Sequence, residues 1–231
     1  CVVIHFGMNN KRAEYLMEGN RLKQSDSERD LGVIISSSGK PSEQCLAAAK
    51  KANRMLGLIK RNFKSRSKDV VVRLYKTLVR PRLEYCVQSW CPYLQKDIAV
   101  LEKVQRRATK MILACRTDSY EDRLKYTELT SLECRRRRGD MIEVFKLLNG
   151  VEKIDYNILI QRAEKTGRRG HSYTLVKHRA RLDLRKLCFS NRVVSTWNSL
   201  PESVVVAGTV NSFKARLDAY IRAKGSGWFV R

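Results

Sequence analysis

The residues that could do chemistry are few. Asp26, Glu28 and Asp30 alternate at i, i+2 and i+4, a spacing that could offer oxygen ligands to a divalent cation. That stretch has no glycine at a turn position and no downstream carboxylate in register, so the plainer reading is a solvated acidic loop. His171 and His178 have only Cys188 nearby, short of the clustered tetrahedral set that zinc requires. Neither a P-loop (GxxxxGK followed by Ser or Thr) nor a GxGxxG turn occurs. No arrangement of cysteine and histidine is favoured as a nucleophile and base. What remains is the chemistry of cations.

Those cations fall into patterns. Lys103, Arg106, Arg107 and Lys110 stand at i, i+3, i+4 and i+7, which stacks four positive charges on one side of a helix. Lys50, Arg54 and Arg61 lie opposite the apolar stripe of another helix. The run Arg135–Arg138 reads as a phosphate clamp, a localisation signal or a solvated helix start; on a helix it points all round, so at least one member must pack by its stem or pair with an acid. Residues 151–192 are less regular, with Gly167, Gly170 and a dense basic stretch that includes Arg168 and Arg169. Lys50, Arg54, Arg61, Lys103, Arg106, Arg107, Lys110, Arg135, Arg136, Arg168 and Arg169 are the candidate nucleic-acid contacts, and no residue is assigned a catalytic or metal-binding role. Tyr75, Tyr85, Trp90, Tyr93 and Trp197 could stack on bases, although aromatic side chains more often fill cores.

The whole chain supports that emphasis. Among 231 residues, 47 Lys and Arg against 23 Asp and Glu give a net charge of +24. Residues 1–40 carry +1, residues 41–130 carry +11 and residues 131–231 carry +12. Excess of one sign, repeated on several helices with few acids interleaved, points to a polyanion. An apolar fraction of 43% argues against wholesale disorder. No apolar run approaches the roughly 18 residues needed to cross a bilayer. Seven cysteines, odd in number and widely spaced, suit free thiols in a reducing compartment, so the chain is expected inside the cell, nuclear or cytoplasmic. The opening CVVIHFG reads as the interior of something longer.

Elements must position these charges. Val2 to Phe6, Tyr15 to Leu22 (with a turn at Gly19–Asn20) and Leu31 to Ile35 predict three short strands. After Pro41 the period becomes helical. Cys45, Ala48, Ala49, Ala52, Leu56, Ile59 and Phe63 form one stripe. A second helix starts at Ser67, with Asp69 in its first turn, and Pro81 kinks or ends it. A third spans Asp97 to Cys115 with Ile98, Leu101, Val104, Ala108, Met111 and Ile112 inward. A short helix follows from Asp118 or Ser119, and another runs from Ser131 to a stop at Asn149–Gly150. The last lies near Asn211–Arg222. The expected fold is mainly α, with a small β element at the start. Its divisions are 1–39 (β), 40–116 (helical), 117–224 (basic, mixed and mostly helical) and a disordered tail at 225–231.

One resemblance covers nearly all of this. KPSEQCLAAAKKANRMLGLIKRNFKSRSKDVVVRLYKTLVRPRLEYCVQSWCPYL (40–94), DIAVLEKVQRRATKMI (97–112), SLECRRRRGDMIEVFKLLNG (131–150) and FSNRVVSTWNSLP (189–201) resemble the region after the palm in reverse transcriptases of LINE-type, non-LTR retrotransposons of the jockey-like group. CVVIHFG and ERDLGVII (28–35) are similar to the last palm strands of the same enzymes. The resemblance implies the end of a palm, a helical thumb that holds the template–primer duplex, and a C-terminal region. It implies RNA, DNA or their hybrid as partner, and Mg²⁺ as cofactor of the parent RNA-directed DNA polymerase, bound by paired carboxylates. No YADD- or FADD-like tetrapeptide occurs in this sequence. By itself the chain is therefore expected to bind nucleic acid and catalyse nothing, with no cofactor, small-molecule substrate or membrane of its own. Two other readings compete: a repurposed helical module that binds acidic protein, and a non-functional pseudogene fragment whose strand edges lie exposed.

Overall fold

A computed structural model describes residues 1–7, 9–115, 117–163 and 170–225. The chain divides into two compact units, Cys1–Leu132 and Glu133–Arg231. It is mainly helical with small sheets at its start.

The first unit opens with short strands: β1 (Val2–Val3), β2 (Leu16–Met17), β3 (Asn20–Arg21), β4 (Lys23–Gln24), β5 (Ser27–Asp30) and β6 (Val33–Ser36). They pair two by two: β1 with β4 in parallel, β2 with β3 and β5 with β6 antiparallel. The expected strand over 15–22 is the hairpin of β2 and β3, and those at the start and over 31–35 are β1 and β6. Strands β4 and β5 are additional to those expected, and two turns set the hairpins. Glu18 and Gly19 have φ of 51° and 77°, and Leu31 and Gly32 have φ of 44° and 86°. Positive φ at two central residues is what a twisted two-residue hairpin needs. The turn expected at Gly19–Asn20 therefore sits one residue earlier. The acidic stretch is no loop, because Glu28 faces Ile35 and Asp30 faces Val33 across the second hairpin.

Helix α1 (Ser42–Asn62) follows, and Ile34 N–H donates to Gln44 Oε1 at 3.0 Å, tying β6 to it. Its inward stripe is the expected one as far as Ile59; Phe63 adopts extended backbone past the end and is exposed. Ala48, Ala49 and Ala52 let a neighbouring helix approach closely. Helix α2 (Lys68–Leu74) starts after Ser67, which takes the N-cap position without a side-chain cap bond. It continues through a wide π turn at Tyr75–Val79 into α3 (Arg80–Glu84). Pro81 accordingly does not end the helix: Arg80 N–H bonds back to Tyr75 O, and the widened turn accommodates a residue that cannot donate.

After α4 (Val87–Trp90) comes α5 (Gln95–Thr109), which packs on α1. It ends short of the expected Cys115, in tight turns through Lys110–Ile112. Helix α6 (Tyr120–Thr127) begins at Ser119, whose Oγ accepts from Asp122 N–H at 3.2 Å. The division expected at 116 lies inside this first unit. Segment 117–132 is held to α5 by Arg123 Nε, which donates to Thr109 Oγ1 at 3.1 Å, and by Tyr120.

The second unit is built on α7 (Leu132–Leu148), α8 (Asp183–Lys186), α9 (Phe189–Asn198), α10 (Glu202–Val205) and α11 (Val210–Lys224). Helix α7 stops at Asn149–Gly150 as expected. Gly150 has φ of 66° and its N–H bonds to Leu147 O, a left-handed closure that favours glycine. Phe145 and Phe213 stack at 4.3 Å, Trp197 lies 5.9 Å from Phe213, and all three are buried. His171 meets the Trp197 ring edge-on at 5.9 Å and is fixed at both nitrogens: Nδ1 accepts from Tyr173 N–H, so Nε2 donates to Trp197 O. The tail expected at 225–231 lies outside the described residues except for Gly225.

Burial separates the thiols. Cys45 and Cys134 are buried, whereas Cys1 and Cys86 are exposed, and none of the four is in a disulfide. Burial also pushes the Cys134 thiol up from its ordinary value. Since the thiolate is the reactive form, iodoacetamide at pH 8 should label Cys1 and Cys86 quickly, and Cys45 and Cys134 only after denaturation. Mass spectrometry of peptides from native and urea-treated protein reads this directly.

Candidate nucleic-acid interface

Lys103, Arg106 and Arg107 on α5 and Lys110 at its C-cap are all exposed, and Lys50, Arg54 and Arg61 are exposed on α1. The two helices meet through Arg107 Nη1, which donates to Asn53 Oδ1 at 2.9 Å. Beside that bond lies a groove of about 660 Å³ lined by the apolar side chains of Leu56, Met111 and Leu113 and by Lys60, Arg66, Arg107 and Lys110. A second hollow of about 530 Å³ is lined by Lys103, Arg106, Arg107, Lys110 and Arg123, together with the acid Asp118. Arg107 and Lys110 belong to both. The four α5 cations are therefore one continuous basic surface.

A buried polar network supports it. Tyr75 OH donates to Gln105 Oε1 at 2.6 Å; Gln105 Nε2 donates to Tyr120 OH at 2.9 Å and to Thr130 O at 3.0 Å. Tyr120 OH in turn donates to Glu102, whose carboxylate also accepts from Leu132 N–H. Burial, then the Glu102 charge, raises the Tyr120 phenol, and burial raises that of Tyr75, so both stay protonated donors. The Arg106 guanidinium lies 4.6 Å over the Tyr120 ring, a cation–π contact that orders one surface cation from below. Gln105→Leu should destabilise the protein by about 1–3 kcal/mol, because Tyr75 OH loses its acceptor inside the core. Urea denaturation measures that loss, and an unchanged midpoint would mean that water replaces the amide.

Other expected contacts fare differently. Arg136 is only 4% exposed and its Nη2 has no hydrogen-bond partner among the described residues, so a phosphate at the surface does not reach it. Arg135 is half-buried; Arg137 pairs with Glu133, and Arg138 makes a two-pronged contact with Asp218 at 2.6 and 2.8 Å. The four-arginine run is thus built largely into packing and ion pairs. Arg168 and Arg169 lie outside the described residues. Tyr75, Trp90 and Trp197 are core residues. Tyr85 is exposed, but its OH donates to Leu31 O at 3.0 Å.

Sequence reasoning missed Lys60 and Arg66. Lys60 was readable from its place one turn after Gly57. Arg66 lies past the end of α1 and folds back so that its guanidinium donates to Lys60 O and Phe63 O, a position no periodicity reveals. Among the described residues, no group of three or more His, Cys, Asp or Glu is placed to hold a metal ion. No described helix is long and apolar enough to cross a membrane. No family model, curated protein or solved structure matches the chain.

Proposed function

We propose that this chain is the template–primer-binding segment of an RNA-directed DNA polymerase of the non-LTR retrotransposon kind. The observation that supports this most is the α1–α5 surface, where Lys103, Arg106, Arg107 and Lys110 share one face and the last two also line a groove with apolar residues. Such a face suits the phosphate chain of a duplex or hybrid, which it would grip with little sequence preference, since phosphate contacts position without specifying. Cation and phosphate meet without bond making, so the segment's task is to hold the substrate. Catalytic carboxylates and their Mg²⁺ would come from a palm preceding this sequence. The protein would act inside the cell, in the nucleus or in a cytoplasmic ribonucleoprotein.

The test is fluorescence anisotropy of the purified chain with an RNA–DNA hybrid between 50 and 200 mM salt. A steep fall of affinity with salt supports the reading. Folded, helical protein that ignores the hybrid at 50 mM salt overturns it.

A further inference from the structure

The second unit carries a basic surface of its own that the four-arginine run does not explain. Residues 177–186 read KHRARLDLRK, with five Lys or Arg against the single acid Asp183. Both ends of this strap are fixed. At its start Val176 N–H bonds to Gln161 O, and Asn198 brackets Leu175 by donating to its carbonyl and accepting from its N–H, both at 2.9 Å. At its end the Arg185 carbonyl accepts from Asn191 Nδ2 at 3.2 Å, at the start of α9. The backbone is thus anchored while the side chains of Arg179, Arg181, Arg185 and Lys186 are all exposed.

None of these four makes an ion pair or a side-chain hydrogen bond among the described residues. Elsewhere in the unit Arg138 pairs with Asp218, Arg192 with Asp140, and Lys146 with Glu143 and Glu152. Leu182 and Leu184 stand among the free charges and are 66% and 47% exposed. We infer that residues 177–186 form a second phosphate-binding surface, which takes the sugar–phosphate chain of a nucleic acid independently of the α1–α5 groove. Like charges set along an exposed strap that ends in the short helix α8 suit a linear polyanion, whose phosphates recur along its length, and the leucines give apolar contact beside them. The inference adds a site to the proposed function and does not require the groove.

The test uses the full chain with Arg179, Arg181, Arg185 and Lys186 all changed to Gln, and single-stranded RNA and RNA–DNA hybrid as probes. If three or four of these cations sit on phosphates, the slope of log K against log salt flattens by about 2–3. Charge-preserving Arg→Lys changes at 179, 181 and 185 keep the parent slope. Unchanged affinity and slope in the Gln variant overturn the inference. Should that variant lose helicity, acetylation of Lys177 and Lys186 in the unaltered chain decides: protection by the hybrid supports the site, and equal labelling with and without hybrid overturns it. Loss of binding in the α5 variant alone would leave the groove standing without the strap; loss in the strap variant alone would leave the reverse.

Discussion

Changing Lys103, Arg106, Arg107 and Lys110 together to Gln flattens the salt slope of hybrid binding by about 3–4, at up to 0.9 per phosphate contact. Between 50 and 200 mM salt this amounts to about 10²-fold less salt sensitivity. The size follows from geometry. All four side chains are exposed, and neither Lys103 nor Lys110 is tied to an acid among the described residues. Arg106 is held over Tyr120, and Arg107 is held by Asn53, so two of the four are ordered before a phosphate arrives. Gln keeps most of the stem; the change removes the Arg107–Asn53 bond but not the buried stripes of α1 and α5, so circular dichroism should show the same helicity. A variant that stays helical and binds with the parent's slope would falsify the groove assignment.

Trp197→Ala should have the largest effect on stability, about 3–5 kcal/mol, from loss of buried area and the cavity left behind. Trp197 is 1% exposed, its Nε1 donates to Tyr173 O at 2.8 Å, and its ring touches both Phe213 and His171. Removing the ring leaves Tyr173 O without that donor and His171 without its edge-on partner. Because a domain's whole stability is about 5–15 kcal/mol, the second unit should melt about 15 °C lower or more. Trp197→Phe keeps much of the packing and should fall between the two. Thermal melts followed at 222 nm separate the three proteins. A base-stacking role would instead leave the melting temperature alone and weaken nucleic-acid binding.

Much of this was legible in the chain. The inward stripe of α1, the start of α6 at Ser119 and the stop of α7 at Gly150 follow from residue type and period, because capping and amphipathic burial are local matters. The basic face of α5 is equally local: i, i+3, i+4 and i+7 share a side on any helix. The strand segment was read less well, since two-residue hairpins depend on positive φ at Glu18 and Leu31, residues whose type does not announce it.

By itself, then, the sequence determined a mainly helical protein with a small β start, a surplus of cations after Lys40 and the faces on which most of them stand. Only the tertiary structure decided which cations remain free. Arg136 and Arg138 look alike in the run Arg135–Arg138, yet one is buried and the other grips Asp218, 80 residues away. Arg179 and Arg181, unremarked in a basic stretch, are left to solvent. A charge is available to a partner only when no acid from a distant segment reaches it and no packing covers it, and both conditions are set by contacts between residues far apart in the chain.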